Sequence, residues 1–259
     1  MGRRFRKDRI RLLTEEGPRM LSRLIVVLLL GVPVLAGTSR AQTRSPLAEQ
    51  IAKTYGLDSF GQVEAIRYTF NLELAGKNIS RSWVWEPKTG RVSFDGKDKD
   101  GKPLKVTYLQ SDLYKESDVV KDEVDPAFVN DNYWIIFPFH AYWDSPGADV
   151  QDKGMQPLPS GKGSAKLVSV KYSSKGGYTP GDTWDLYVGN DNRIEWFVYH
   201  RGGEKKPQLV STSWEGYEKA GPLLFSTDHR GTADGAPVRV SLSKVAVKLA
   251  GSDSWIDAQ

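Results

Sequence analysis

Three histidines (His140, His200 and His229) and the closely spaced carboxylates Asp182 and Asp185 are the side chains of this 259-residue chain best suited to acid–base chemistry. Catalysis of that kind needs titratable groups that converge, and none of the three histidines stands beside a serine or cysteine nucleophile motif. A pair such as Asp182 and Asp185 suits glycan hydrolysis if the fold brings both carboxyls into one groove. The acidic tip Gly96-Lys97-Asp98-Lys99-Asp100-Gly101 imitates a calcium loop. Setting Gly101 at the invariant glycine puts Gly96 at the first ligand position and Thr107 where a bidentate Glu belongs, so two oxygen ligands are missing and a solvated turn is expected. Asn78-Ile79-Ser80 is a glycosylation sequon by pattern. No cofactor or metal motif is found, and the expectation is a non-catalytic protein.

The aromatic residues carry more information. The sequence holds eight Trp, eleven Tyr and nine Phe. Tyr133 to Trp143 is apolar on every side and carries six aromatic rings, while Trp83 and Trp85 share one face of a strand. A curved sheet closed by such a segment leaves an apolar cavity or is filled solid. The candidate ligand-binding residues are therefore Trp83, Trp85, Tyr133, Trp134, Phe137 and Phe139, and the expected partner is a lipid or another hydrophobic small molecule. The alternatives are an envelope scaffold with a filled core and an envelope glycan-active enzyme.

Positioning these side chains falls to strands. Ile66, Tyr68, Phe70, Leu72 and Leu74 alternate with polar residues, which marks a half-buried strand. Ile79, Trp83 and Trp85 continue the alternation on a return strand, and two further strands around Val92–Phe94 and Leu104–Tyr108 complete a meander. The second half adds strands over 165–172, 183–188, 193–200, 208–214, 223–226 and 238–249. For the hairpin Thr183–His200, a register pairing Val188 with Ile194, Leu186 with Trp196 and Trp184 with Val198 keeps both apolar sets on one face and places Asn192 at a φ > 0 position. Ser45-Pro46 starts a short helix that stops at Gly56. Asp125-Pro126 starts a second, expected to end at Pro138, and 144–163 is expected as a long loop. The fold class is mainly β (α+β): a curved antiparallel sheet or unclosed β-barrel of about ten strands, with helices covering the concave face.

The apolar run Leu24–Ala36 is 13 residues long. A membrane-crossing helix needs about 20 such residues and a signal-peptide core roughly 7 to 15. Ser39 and Ala41 supply the small residues for cleavage after Ala41. Residues 1–41 are therefore expected to be a signal peptide, with Met20 offering a more ordinary start, and 42–259 a single β domain, periplasmic or secreted, with no integral membrane segment after cleavage. The chain has 36 basic and 32 acidic residues, net +4, yet nine of the basic residues lie in that leader. The mature chain would carry 27 basic and 29 acidic residues, net −2, which removes the electrostatic footprint of nucleic-acid binding. The chain lacks cysteine, so it carries no lipobox anchor, and a core of this size needs no disulfide.

The runs Tyr68–Leu74, Trp83–Val92, Asn130–Trp134, Gly181–Val188 and Leu223–Asp228 resemble a family of exported bacterial proteins and, more distantly, the periplasmic lipoprotein localisation factors LolA and LolB. That resemblance implies an unclosed antiparallel barrel covered by helices, with an apolar cavity that holds acyl chains. No functional residue of those carriers maps onto a position of this chain.

Overall fold

The structure is a computed structural model and describes residues 44–175, 178–202 and 208–259. The expected signal peptide lies outside the described residues. Helix α1 (Pro46–Thr54) begins where Ser45 Oγ accepts the Ala48 N–H at 3.4 Å, with proline in the first turn where its missing N–H costs nothing. Gly56, at φ 104°, turns the chain into the short α2 (Leu57–Phe60).

The strands are β1 (Val63–Leu74), β2 (Lys77–Glu86), β3 (Arg91–Lys97), β4 (Pro103–Leu109), β5 (Ala148–Pro157), β6 (Ser164–Tyr172), β7 (Thr183–Val188), β8 (Ile194–His200), β9 (Leu209–Ser213), β10 (Glu215–Ala220), β11 (Leu223–Ala233), β12 (Ala236–Leu249) and β13 (Trp255–Asp257). They make one antiparallel sheet in the order β4-β3-β2-β1-β12-β11-β9-β8-β7-β6-β5, with β10 added to β11 and β13 to β12. The path ends at β4 and β5 without closing, which gives the unclosed sheet expected from the alternation. Along β1 and β2 the pairs Ile66–Trp85, Tyr68–Trp83, Phe70–Arg81 and Leu72–Ile79 share the concave face.

Four local expectations are corrected. Residues 148–157 form the edge strand β5 instead of a loop; its exposed, charged sequence and its bulge between Asp152 and Met155 hide any alternation. In the β7–β8 hairpin Val188 does pair with Ile194 and Asn192 has φ 60°, but a bulge beyond Val188 pairs Tyr187 with Trp196 and Leu186 with Phe197. Phe197 therefore takes the core place and Trp196 donates to Ser211 Oγ at 2.8 Å. Helix α3 (Asp125–Trp143) runs past Pro138 to Trp143, because Ile136 (φ −125°, ψ 20°) leaves helical geometry and absorbs the kink. Asp125 is not a cap: it continues a π-turn over Val120–Val124 in helical conformation.

Helix α3 is apolar on all sides, so no single stripe decides how it lies on the sheet. Three carboxylates do. Asp131, fully buried, accepts from Arg81 Nε (2.7 Å) and Nη2 (2.6 Å), from Trp83 Nε1 (2.8 Å) and from Asn130 Nδ2 (3.0 Å). Asp125, also buried, accepts from the Tyr108 hydroxyl at 2.8 Å and the Tyr178 hydroxyl at 2.6 Å. Asp144 accepts from the Tyr172 hydroxyl at 2.9 Å and pairs with His140 Nδ1 at 3.3 Å. Burial pushes the Asp131 carboxyl up, against the pull of Arg81. Replacing Arg81 by Met strands that charge, and the urea midpoint should fall by the equivalent of about 3–5 kcal/mol. The double replacement Arg81→Met with Asp131→Leu should recover part of the loss; a single variant as stable as the parent would contradict this account.

Candidate functional site

A cavity of about 550 Å³ lies between the first half of α3 and the middle strands β1, β12, β11, β9, β8 and β7 of the sheet. Its floor is apolar: Phe70 and Val240 are buried on the sheet side, with Trp184, Tyr133 and Trp134 completing the wall. Leu72, Leu74, Val129, Val210, Ala233 and Val238 continue the lining toward solvent. The polar groups sit at the lip, where Asn130 and Tyr178 are exposed and Arg201 and Gln208 half-buried. Such a volume is in the range of sites that hold one small ligand, about 300–1,000 Å³. A second groove of about 660 Å³ between β2, β3 and the start of α3 has apolar lining from Ile79, Phe94, Val124 and Ala127, but it holds a single aromatic ring and is bordered by the charged tip Lys97, Asp98, Lys99 and by Glu123.

The aromatic wall is held from behind. Trp184 stacks on Phe137 at 4.6 Å and meets Tyr199 at 4.6 Å, and Trp134 packs on Phe197 at 5.3 Å and on His229 at 5.3 Å. The lip is built around Asp182, whose Oδ2 accepts from the Tyr199 hydroxyl at 2.9 Å and whose Oδ1 accepts from the Gly202 N–H at 2.8 Å. Gly202 must lack a side chain, since a Cβ there would stand 1.8 Å from the Gly181 carbonyl oxygen. Burial pushes the hydroxyls of Tyr133, Tyr178 and Tyr199 up to about 12, so all three remain protonated donors at neutral pH.

Of the six candidate ligand-binding residues, the fold brings Tyr133 and Trp134 together on the cavity wall. Trp83 is bonded to Asp131 and packs on Phe94 and Phe128. Phe137 backs Trp184, and Phe139 joins Phe60 and Trp143. Trp85 lies against Phe60 and Phe128. These four belong to the packed core. The residues that sequence reasoning missed are the short β-branched and aliphatic ones, Val210, Val238 and Val240, together with Arg201 and Gln208. Their alternation was visible, but not that it faces a gap.

The remaining candidates are dispersed. Asp182 lines the cavity, whereas Asp185 lies with His200, Ser169 and Lys153 along another groove, bonded to His200 Nε2 at 2.9 Å, so the two carboxyls do not share one site. The 96–101 tip is a turn in which Asp98 Oδ1 accepts the N–H groups of Asp100 and Lys102. Among the described residues no group of three or more His, Asp or Glu is placed to hold a metal, and no helix is long and apolar enough to cross a membrane.

No protein-family model and no curated protein matches the chain. Among solved structures it is similar to a DUF1329 family protein from Desulfovibrio piger (10% identity, 80% of this chain and 94% of that one, TM-score 0.43). It is similar also to a Vibrio parahaemolyticus domain named for outer membrane lipoprotein sorting (9%, 80% and 93%, 0.45) and to the lipoprotein LppX of Mycobacterium tuberculosis (9%, 77% and 94%, 0.29). What the site can do is read from its own residues.

His229, fully buried behind Trp134, donates from Nδ1 to the Ser213 carbonyl at 3.3 Å, and burial lowers it to about 4. An unfolded histidine titrates near 6.5, so between pH 6.5 and 4 the unfolded chain takes up a proton that the folded chain refuses. The depressed value means stability present above pH 6.5 and lost as pH falls toward 4, by up to about 3 kcal/mol. Urea midpoints measured across that window should fall more steeply for the parent than for His229→Phe.

Proposed function

We propose that this protein is an exported, non-catalytic binding or carrier protein for a hydrophobic small molecule or lipid, held between α3 and the middle strands of the sheet. The observation that carries the reading is the cavity itself. An apolar hollow of about 550 Å³ forfeits packing and solvation that a filled core would keep, and an occupant with apolar surface restores both. Its lining fits: an aromatic floor gives broad, orientation-tolerant contact, and a few polar groups are confined to the lip. The expected leader 1–41 supports delivery outside the cytoplasm, and the absence of cysteine means that no lipid-modified cysteine tethers the chain.

The neutral probe N-phenyl-1-naphthylamine reads the cavity directly. It should bind with enhanced, blue-shifted emission, and a lipid extracted from the native compartment should displace it. Leu72 lines the hollow and is only half-buried, so Leu72→Trp should fill the space and abolish the signal while the urea midpoint stays within about 1 kcal/mol of the parent. A parent that gives no enhancement, or a Leu72→Trp variant that binds as well as the parent, would overturn the proposal.

A further inference from the structure

The lip of the cavity is chemically one-sided. Among the described residues that line the hollow, Arg201 is the one basic side chain and Asp182 the one carboxyl. Asp182 has both oxygens committed, one to the Tyr199 hydroxyl and one to the Gly202 N–H. It is itself buried, at 2% exposure. Arg201 is different. Its backbone N–H bonds the Gln208 carbonyl at 2.9 Å, which fixes the start of its side chain, and its side chain reaches the Tyr199 hydroxyl. Among the described residues no carboxylate lies within ion-pair distance of it. A guanidinium offers five N–H donors in a planar fork, so several remain uncommitted at the edge of an apolar hollow. Gln208 and Asn130 stand on the same lip and add neutral amide donors.

We infer that the cavity selects a single-chain amphiphile with an anionic oxygen head, a carboxylate or a phosphate, bound at Arg201 with its chain directed toward Trp134 and Trp184. This rests on the hydrophobic-ligand reading and narrows it to one ligand class. The volume accommodates one small ligand. A planar fork matches a carboxylate or phosphate through two parallel hydrogen bonds, which a neutral alcohol or an ammonium head cannot reproduce. The apolar wall favours the chain without discriminating among heads, so head-group selectivity falls to Arg201.

Displacement of N-phenyl-1-naphthylamine by dodecanoate, dodecyl phosphate and dodecanol, each below its critical micelle concentration, separates the cases. The parent should prefer one or both anions over dodecanol by about tenfold or more. Stronger binding of dodecanoate points to free fatty acids, and stronger binding of dodecyl phosphate to phosphate-headed lipids. In Arg201→Gln the preference should collapse to within about threefold, whereas Arg201→Lys, which keeps the charge without the fork, should retain part of it. Urea midpoints confirm that both variants fold; should Arg201→Gln fail to fold, the loss of preference in the parent at high salt is the substitute readout. Equal binding of all three in the parent, or an anion preference that survives Arg201→Gln, overturns the inference while leaving the hydrophobic-ligand reading in place. Failure of all three to displace a probe that does bind overturns the inference and confines the cavity to other apolar ligands. Failure of the probe and of all three ligands to bind removes the underlying reading as well.

Discussion

The buried carboxylate of Asp131 is the constraint on which the rest of this fold depends. Hydrophobic burial drives α3 onto the sheet but, acting equally on every side of an apolar helix, it does not say at what rotation or height. A fully buried carboxylate does say, because its four hydrogen bonds from Arg81, Trp83 and Asn130 have fixed directions and losing any of them is costly. Asp125 repeats the device through Tyr108 of β4, and Asp144 through Tyr172 of β6. The helix is thus pinned at its start, middle and end to three different parts of the sheet. Each pin has a desolvation cost, and what it gains is a single orientation instead of several of similar energy.

That orientation explains why half of the concave face is solid and half is hollow. Beneath the second half of α3, large rings meet: Phe139 lies 4.8 Å from Phe60, which also meets Trp143 at 4.8 Å. Beneath the first half, the sheet offers Val210, Ala233, Val238 and Val240, whose side chains are too short to reach Val129 and Tyr133 on a helix held at a height set by Asp131 and Asp125. Lowering the helix would break the carboxylate bonds, and larger side chains on β9, β11 and β12 would close the gap. The hollow is the outcome of fixed helix height and small sheet residues, and it lies over the middle strands of the sheet, with its lip at Tyr178, Arg201 and Gln208.

Much of this was legible in the sequence where period carried the signal. The alternation from Ile66 to Leu74, the turn at Asn192 and the start at Ser45-Pro46 each follow from local rules, and each stands where those rules place it. The misreadings have two causes: a long-range interaction overrode a local preference, or the local signal was absent. Pro138 is a helix stop in isolation, but the packing of Phe139, Ala141 and Trp143 carries the helix past it through a kink at Ile136. Strand β5 has no apolar face to announce it, since it is an edge. Arg81 is the instructive residue. It occupies the inward phase between Ile79 and Trp83, where an alternating strand calls for an apolar side chain, and a charge in that phase is a sign of a buried partner; nothing local identifies that partner as Asp131, fifty positions away. A cavity against the Tyr133–Trp143 segment was an open expectation, but its position on the sheet was not legible, because valine is the expected residue of a strand whether it meets a neighbour or a void.

The parity of β7 bears on what the cavity does. Along β7 Trp184, Leu186 and Val188 face the core, and Asp182, just before the strand, lines the cavity while Asp185, three positions on, bonds His200 in another groove. On the cavity side this leaves one carboxylate, with both oxygens occupied, alongside three tyrosines whose hydroxyls stay protonated at neutral pH. Two histidines stand behind the wall without lining the cavity: His140 stacks on Tyr133 at 4.2 Å, and His229 lies 5.3 Å from Trp134, where burial keeps it neutral. General acid–base chemistry asks for two groups that exchange a proton near neutral pH, and this wall holds no such pair among the described residues. A surface that offers shape, aromatic contact and a single cationic fork is suited to retaining a molecule unchanged.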